Sequence, residues 1–192
     1  MGFAIANVRK AHDYLTGGGF TEATGGVVPP MTTEAACGLI GGWTVETGDP
    51  ELRDLDVVEV GNGQKGRGMS QYTGVRRDAY DKARTAALAR GEDVNSLDWQ
   101  LGYAADEYTG KHDVGGKSLS GWTGSLQKHG QSDNVRSATV GLTNEYFRPS
   151  KPHMDRRIQA AERCMTWMSK PQEIKRMSPN PYGRTDMSPN PY

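Results

Sequence analysis

Residues 43–51 read WTVETGDPE and place a single carboxylic acid, Glu46, between an apolar stretch and a stop made of Gly48 and Pro50. A carboxyl partly buried against apolar neighbours such as Trp43 keeps its proton closer to neutral pH than a solvated one does, and a general acid needs that property. Glycosidic cleavage requires such a donor on the leaving oxygen and a negative or nucleophilic partner on the other face of the sugar. Position alone leaves Glu46 between a proton donor and the polar edge of a helix end.

A second stretch, GRGMSQYTGVR at 66–76, adds polar groups on a glycine-flanked turn that can come close to a ligand. Gln71 both donates and accepts, which suits a sugar hydroxyl or an N-acetyl group. Tyr72 offers a ring face, and Ser70 and Trp43 complete the candidate substrate contacts. Arg76 is placed to pair with a carboxylate. The second acid of a glycosidase has five candidates within thirteen residues of Glu46, namely Asp49, Glu51, Asp54, Asp56 and Glu59. Asp54 and Asp56 are the favoured pair because they lie in a loop leading to the β-prone run Val57–Val60.

The elements that must hold these groups are mostly helical. Apolar spacing predicts a first helix over about 3–15, stopped by TGGG, and a second from an N-cap at Thr32 or Thr33 to Glu46 in its last turn. Gly38, Gly41 and Gly42 inside that second helix each cost about 1 kcal/mol relative to Ala, so another backbone is expected to approach it closely. Residues 47–74 read as irregular, with a small hairpin around GNGQKG. Helical periodicity returns from Val75 to a C′ glycine at Gly91, and again from Asn95 or Ser96 to Gly110. A short segment at about 117–129, a helix from Asp133 to Phe147 and a last one from Asp155 to Lys170 complete the ordered part, and Pro171 ends it.

In order, AACGLIGGWTVETG, GRGMSQYTGVRR, NSLDWQLGYAADEY and NEYFRP resemble the phage tail lysozyme family, a branch of the lysozyme-like superfamily with lytic transglycosylases and goose-type lysozymes. The resemblance covers about residues 31–165. It implies a mostly α, lysozyme-like α+β fold: a helical domain over 1–170, with a small irregular or β-hairpin region after the catalytic helix. It also implies cleavage of the β-1,4 bond between N-acetylmuramic acid and N-acetylglucosamine, by hydrolysis or by transglycosylation with an anhydro product. Glu46 matches the family's catalytic acid and Gln71 its cleft glutamine, with Tyr72 where Trp is usual. Gln100 and Glu107 match the helix that packs behind the cleft, a structural role. Two departures stand out: Thr47 replaces Ser, and Phe147 occupies a position that is often acidic, so a salt link made there is expected to be missing.

Composition narrows the partners. Lys plus Arg and Asp plus Glu are both 23, so no bulk field attracts nucleic acid or an anionic membrane. No apolar run reaches the ~18 residues of a membrane span, and no signal peptide is expected. Cys37 and Cys164 are expected to be two buried thiols, with a disulfide as the alternative, and no zinc or other cofactor is expected. His12, His112, His129 and His153 read as surface residues. Residues 171–192 form a Pro-rich tail carrying MSPNPY at 177 and again at 187, either free and extended or a docking peptide for a partner. The resulting expectation is a virion-associated enzyme, made in the host cytoplasm, carried on a phage tail, bound to tail or baseplate proteins and acting on peptidoglycan strands. An endolysin, or a tail component that keeps the fold without catalysis, are the alternatives.

Overall fold

The computed structural model describes residues 5–59, 65–112 and 120–170, the side chains of its third segment from residue 124 onward. Among these residues eight α-helices run in the order α1 (Ala6–Thr16), α2 (Gly19–Ala23), α3 (Thr33–Thr47), α4 (Gly74–Ala89), α5 (Leu97–Tyr108), α6 (Ser120–His129), α7 (Val135–Leu142) and α8 (Met154–Met168). A π-helical turn, Thr143–Phe147, continues α7. The 171–192 tail lies outside the described residues.

α3 is the central helix because it is apolar all round: every residue from Ala35 to Trp43 is buried. Its start is set by Thr32, whose hydroxyl accepts from the Ala35 N–H at 3.1 Å, and its end by Gly48 at φ 72°. α8, α7 and α1 pack around it. The helix glycines are contact points. A Cβ on Gly41 would lie 2.6 Å from the backbone nitrogen of Ala161 in α8, and one on Gly38 3.1 Å from that of Thr139 in α7. Backbone cannot yield as a side-chain tip can, so Gly41→Ala is expected to cost ~1–3 kcal/mol, read as a drop of several degrees in the thermal midpoint.

Cys37 of α3 and Cys164 of α8 form a disulfide across 127 residues, correcting the expectation of two separate thiols. Their Cα atoms are 5.4 Å apart because they share the α3–α8 contact face, which sequence separation conceals. The histidines need correction too. Only His153 is exposed; His12 bonds Thr33 Oγ1 at 3.3 Å, His112 stacks on Tyr103 at 4.7 Å, and His129 lies 3.1 Å from Glu145.

Gly91, φ 79°, follows the Arg90 cap of α4, and the Glu92 N–H returns to the Ala87 carbonyl at 3.1 Å. α5 is capped by Ser96, whose hydroxyl accepts from Trp99 N at 3.3 Å. Between α3 and α4 the described residues are irregular. Two antiparallel pairings remain: Val58 with Arg67, where Glu59 N donates to Gly66 O at 2.9 Å and Gly68 N to Val57 O at 3.0 Å, and Arg67 with Tyr72, where Tyr72 N donates to Arg67 O at 2.8 Å. The first brackets the expected hairpin, whose turn at 60–64 lies outside the described residues. The expected helix over 133–147 is present as α7 plus the π turn, the register change coming at Thr143. No helix among the described residues is long and apolar enough to cross a membrane.

Candidate active site

Glu46, in the last turn of α3, opens onto a cleft of about 970 Å³. One wall is the end of α3, a second is the 57–59 segment with Gln71 and Thr73, and the third is the arm from Phe147 to Arg157. The Glu46 side chain is 14% exposed, and its Oε1 accepts from Nη2 of Arg157 at 2.5 Å. Burial pushes the Glu46 carboxyl above its usual range, and does so against the Arg157 guanidinium, which pulls it down. The outcome is an acid that holds its proton at higher pH than a solvated glutamate.

Arg157 is the site residue that sequence reasoning missed. Its side chain is 1% exposed, its Nε donates to the Pro152 carbonyl at 2.8 Å, and its guanidinium lies 4.9 Å over the Phe147 ring. The signal was present: Arg157, Ala161, Cys164 and Met168 follow a helical stripe, and a cation on a buried stripe demands a partner. Phe147, where the resemblance expected an acid, makes no salt link. It supplies a ring beneath Arg157 while Glu46 takes the charge. Glu145 is turned away, bonded to Lys128 at 2.7 Å.

The acids after Glu46 separate by what holds them. Asp49 folds back on its own loop, accepting from the N–H groups of Glu51, Arg53 and Asp54. Asp54 is exposed and does not line the cleft. Asp56 is also outside the lining, held by Arg67 at 2.9 Å, Arg84 at 2.7 Å and the Tyr80 hydroxyl at 3.0 Å. Burial would raise Asp56, but these hydrogen bonds outweigh it and keep the carboxyl below its usual range. Asp56 thus braces α4 against the loop instead of facing a substrate. Glu59 is the member of the group that lines the cleft with Glu46, and its charge contributes to raising Glu46.

Of the expected sugar contacts, Gln71 lines the cleft, with a left-handed backbone at φ 47°. Its Nε2 donates to the carbonyls of Val57 at 3.2 Å and Gly68 at 3.1 Å, so the amide braces the turn. Trp43, Ser70 and Tyr72 are buried and absent from the lining. They belong to a polar chain beneath the site: Trp43 Nε1 donates to Ser70 Oγ at 3.0 Å, and Ser70 Oγ and the Tyr146 hydroxyl share a bond of 3.2 Å. Tyr72 stacks on Tyr80, centroids 5.1 Å apart. Short polar and aromatic residues next to a glycine turn serve a ligand or an interior equally well, which is why their spacing did not place them.

Arg76, Gln100 and Glu107 close the foundation. Arg76 grips Glu107 with two bonds, 2.6 and 2.9 Å, and donates to the Tyr146 carbonyl at 3.0 Å. Gln100 accepts from Met69 N at 3.1 Å and donates to Tyr80 OH and the Val94 carbonyl, fixing the 66–73 turn to α5.

A family model described as phage tail lysozyme matches residues 29–168. The chain belongs to the phage tail lysozyme family. The match spans α3 to α8, so every cleft residue named above falls inside it, and it ends with the last residue of α8. α1, α2 and the 171–192 segment lie outside the phage tail lysozyme match. No curated protein and no solved structure matches the chain. The mostly helical architecture agrees with a lysozyme-like fold.

Proposed function

We propose that this phage lysozyme-like protein cleaves the β-1,4 bond between N-acetylmuramic acid and N-acetylglucosamine in peptidoglycan, with Glu46 as general acid. The observation that carries this is a desolvated carboxyl at the edge of a cleft large enough for several sugar rings. Glu46 gives its proton to the glycosidic oxygen as the bond to the anomeric carbon breaks. Water attacks that carbon, and Glu59 on the facing wall accepts the water's proton. Glu59 takes the second-carboxylate role in this reading, since Asp56 is fully engaged by arginines and Asp54 lies outside the cleft. This makes the enzyme a hydrolase, and a Glu59→Gln variant that still released reducing ends at the parent rate would remove Glu59 from it.

Arg157 positions Glu46 and tunes it. Arg157→Gln removes the cation that lowers the Glu46 pKa, so the alkaline limb of the pH–rate profile is expected to move to higher pH. A purely structural role would lower activity at every pH without moving that limb.

The proposed setting is the virion: a tail-borne enzyme that opens the wall locally for genome entry, with residues 171–192 as the docking segment for a tail or baseplate protein. The family to which the chain belongs supports a tail location. Mass spectrometry of purified virions tests it: the protein is expected among the particle components, and virions lacking it would point to release as an endolysin. No cofactor, nucleic acid or membrane enters the proposal.

A further inference from the structure

The chain carries 23 cationic and 23 acidic side chains, yet among the described residues the cleft is lined by five cations, Lys65, Arg148, Lys151, Arg156 and Arg157, against two carboxylates. Arg157 is committed to Glu46. Lys65, Lys151 and Arg156 are exposed and pair with no carboxylate among the described residues. Most of the cleft cations come from one arm, RPSKPHMDR at 148–156, which carries a single acid, Asp155, outside the cleft lining. The arm is held in place: Arg148 and His153 at its two turns adopt left-handed backbone, φ 49° and 45°, and the Pro152 carbonyl is tied to buried Arg157. A fixed cationic wall facing a glycan cleft is complementary to an acidic strand and indifferent to a neutral one.

We infer that Lys151 and Arg156 bind carboxylates carried by the muramyl residues of the strand, making the cleft selective for acidic peptidoglycan over neutral polymers of N-acetylglucosamine. The inference rests on the glycan-cleaving reading above. The carboxylates have two sources: the stem peptide, or, on muramyl residues without a stem, the lactyl carboxyl that a stem would otherwise hold as an amide. Cations spread over nine residues of the arm suit charges that recur along a strand better than one point charge.

The test separates binding from turnover. Full-length protein with Glu46→Gln, which is not expected to digest its ligand, is sedimented at low salt with sacculi freed of other wall polymers. The same sacculi are then used after carbodiimide amidation of their carboxylates. Two exposed pairs together are expected to contribute about tenfold in affinity, lost on amidation and weakened by added salt. Adding Lys151→Gln and Arg156→Gln is expected to give the same loss on native sacculi and no further loss on amidated ones, while Lys151→Arg with Arg156→Lys restores binding. Amidase-stripped strands, in which loss of the stem frees the lactyl carboxyl, assign the contact: undiminished binding shows that the lactyl carboxylate serves, and diminished binding assigns the contact to the stem. Binding unchanged by amidation, or equal in the glutamine double variant, overturns the inference even if wild type releases muropeptides. Charge-dependent binding with no release by wild type overturns the catalytic reading and leaves the wall's selectivity standing.

Discussion

Glu46→Gln is expected to lower the rate of peptidoglycan cleavage by at least about a thousandfold, within the 10²–10⁴ that general acid catalysis contributes together with the loss of charge stabilisation beside it. Glutamine is close to isosteric with the protonated acid and keeps an oxygen to accept from Arg157, so the cleft is expected to keep its shape. The sign of the pH effect follows from the raised pKa. A carboxyl with a folded pKa above its unfolded value contributes stability that is fully present below the unfolded pKa and is lost as pH rises through the folded one. Proton donation is lost over the same rise. Wild-type activity is therefore expected to fall on the alkaline side as Glu46 ionises. At neutral pH, Glu46→Gln is expected to lower the thermal midpoint, because the buried Arg157 guanidinium loses its counter-ion and keeps only a neutral amide oxygen as acceptor, which outweighs the relief of having no desolvated carboxyl to ionise. Turnover of purified sacculi across a pH series, with calorimetry on both proteins, checks both halves.

The second large effect is on stability. Arg76 and Glu107 are both buried, at 4% and 1% exposure, and form a two-bond ion pair between α4 and α5 under the 66–73 turn. Tyr72 and Tyr146 lie on the guanidinium at 4.8 and 4.7 Å. Glu107→Gln or Arg76→Met leaves one buried charge without its counter-ion, a change that costs ~3–5 kcal/mol. For a chain of this size ~1 kcal/mol moves the midpoint by ~2–4 °C, so either variant is expected to melt about 10 °C lower. Replacing both partners, Arg76→Met with Glu107→Leu, removes the orphan charge and is expected to recover much of the loss. A double variant no more stable than the singles would show that the pair itself, not the uncompensated charge, carries the stability.

Local chemistry was readable where it decides structure. The Thr32 cap, the Ser96 cap, Gly91 past α4 and the buried glycines of α3 all rest on rules of backbone hydrogen bonding and close approach that act within a few residues. Glu46 at the end of α3 was legible for the same reason. What was not legible is long-range: Cys37 meets Cys164, and Glu46 meets Arg157 across 111 residues. The favoured second acid went astray for that cause. Asp56 and Glu59 look alike in sequence, and the difference is made by Arg67 and Arg84, which claim Asp56 from later in the chain. Tyr72 and Trp43 show the limit from the other side, since a ring suited to stack on a sugar is equally suited to a core.

The same sacculi digested by wild type and by Glu46→Gln, with the soluble products read by mass spectrometry, decide whether this cleft cleaves glycan through Glu46. Wild type is expected to release muropeptides with reducing N-acetylmuramic acid ends, and the variant essentially none. Equal release by both proteins, or none by either, would contradict the assignment of Glu46, and anhydro ends, one water lighter, would contradict hydrolysis assisted by Glu59.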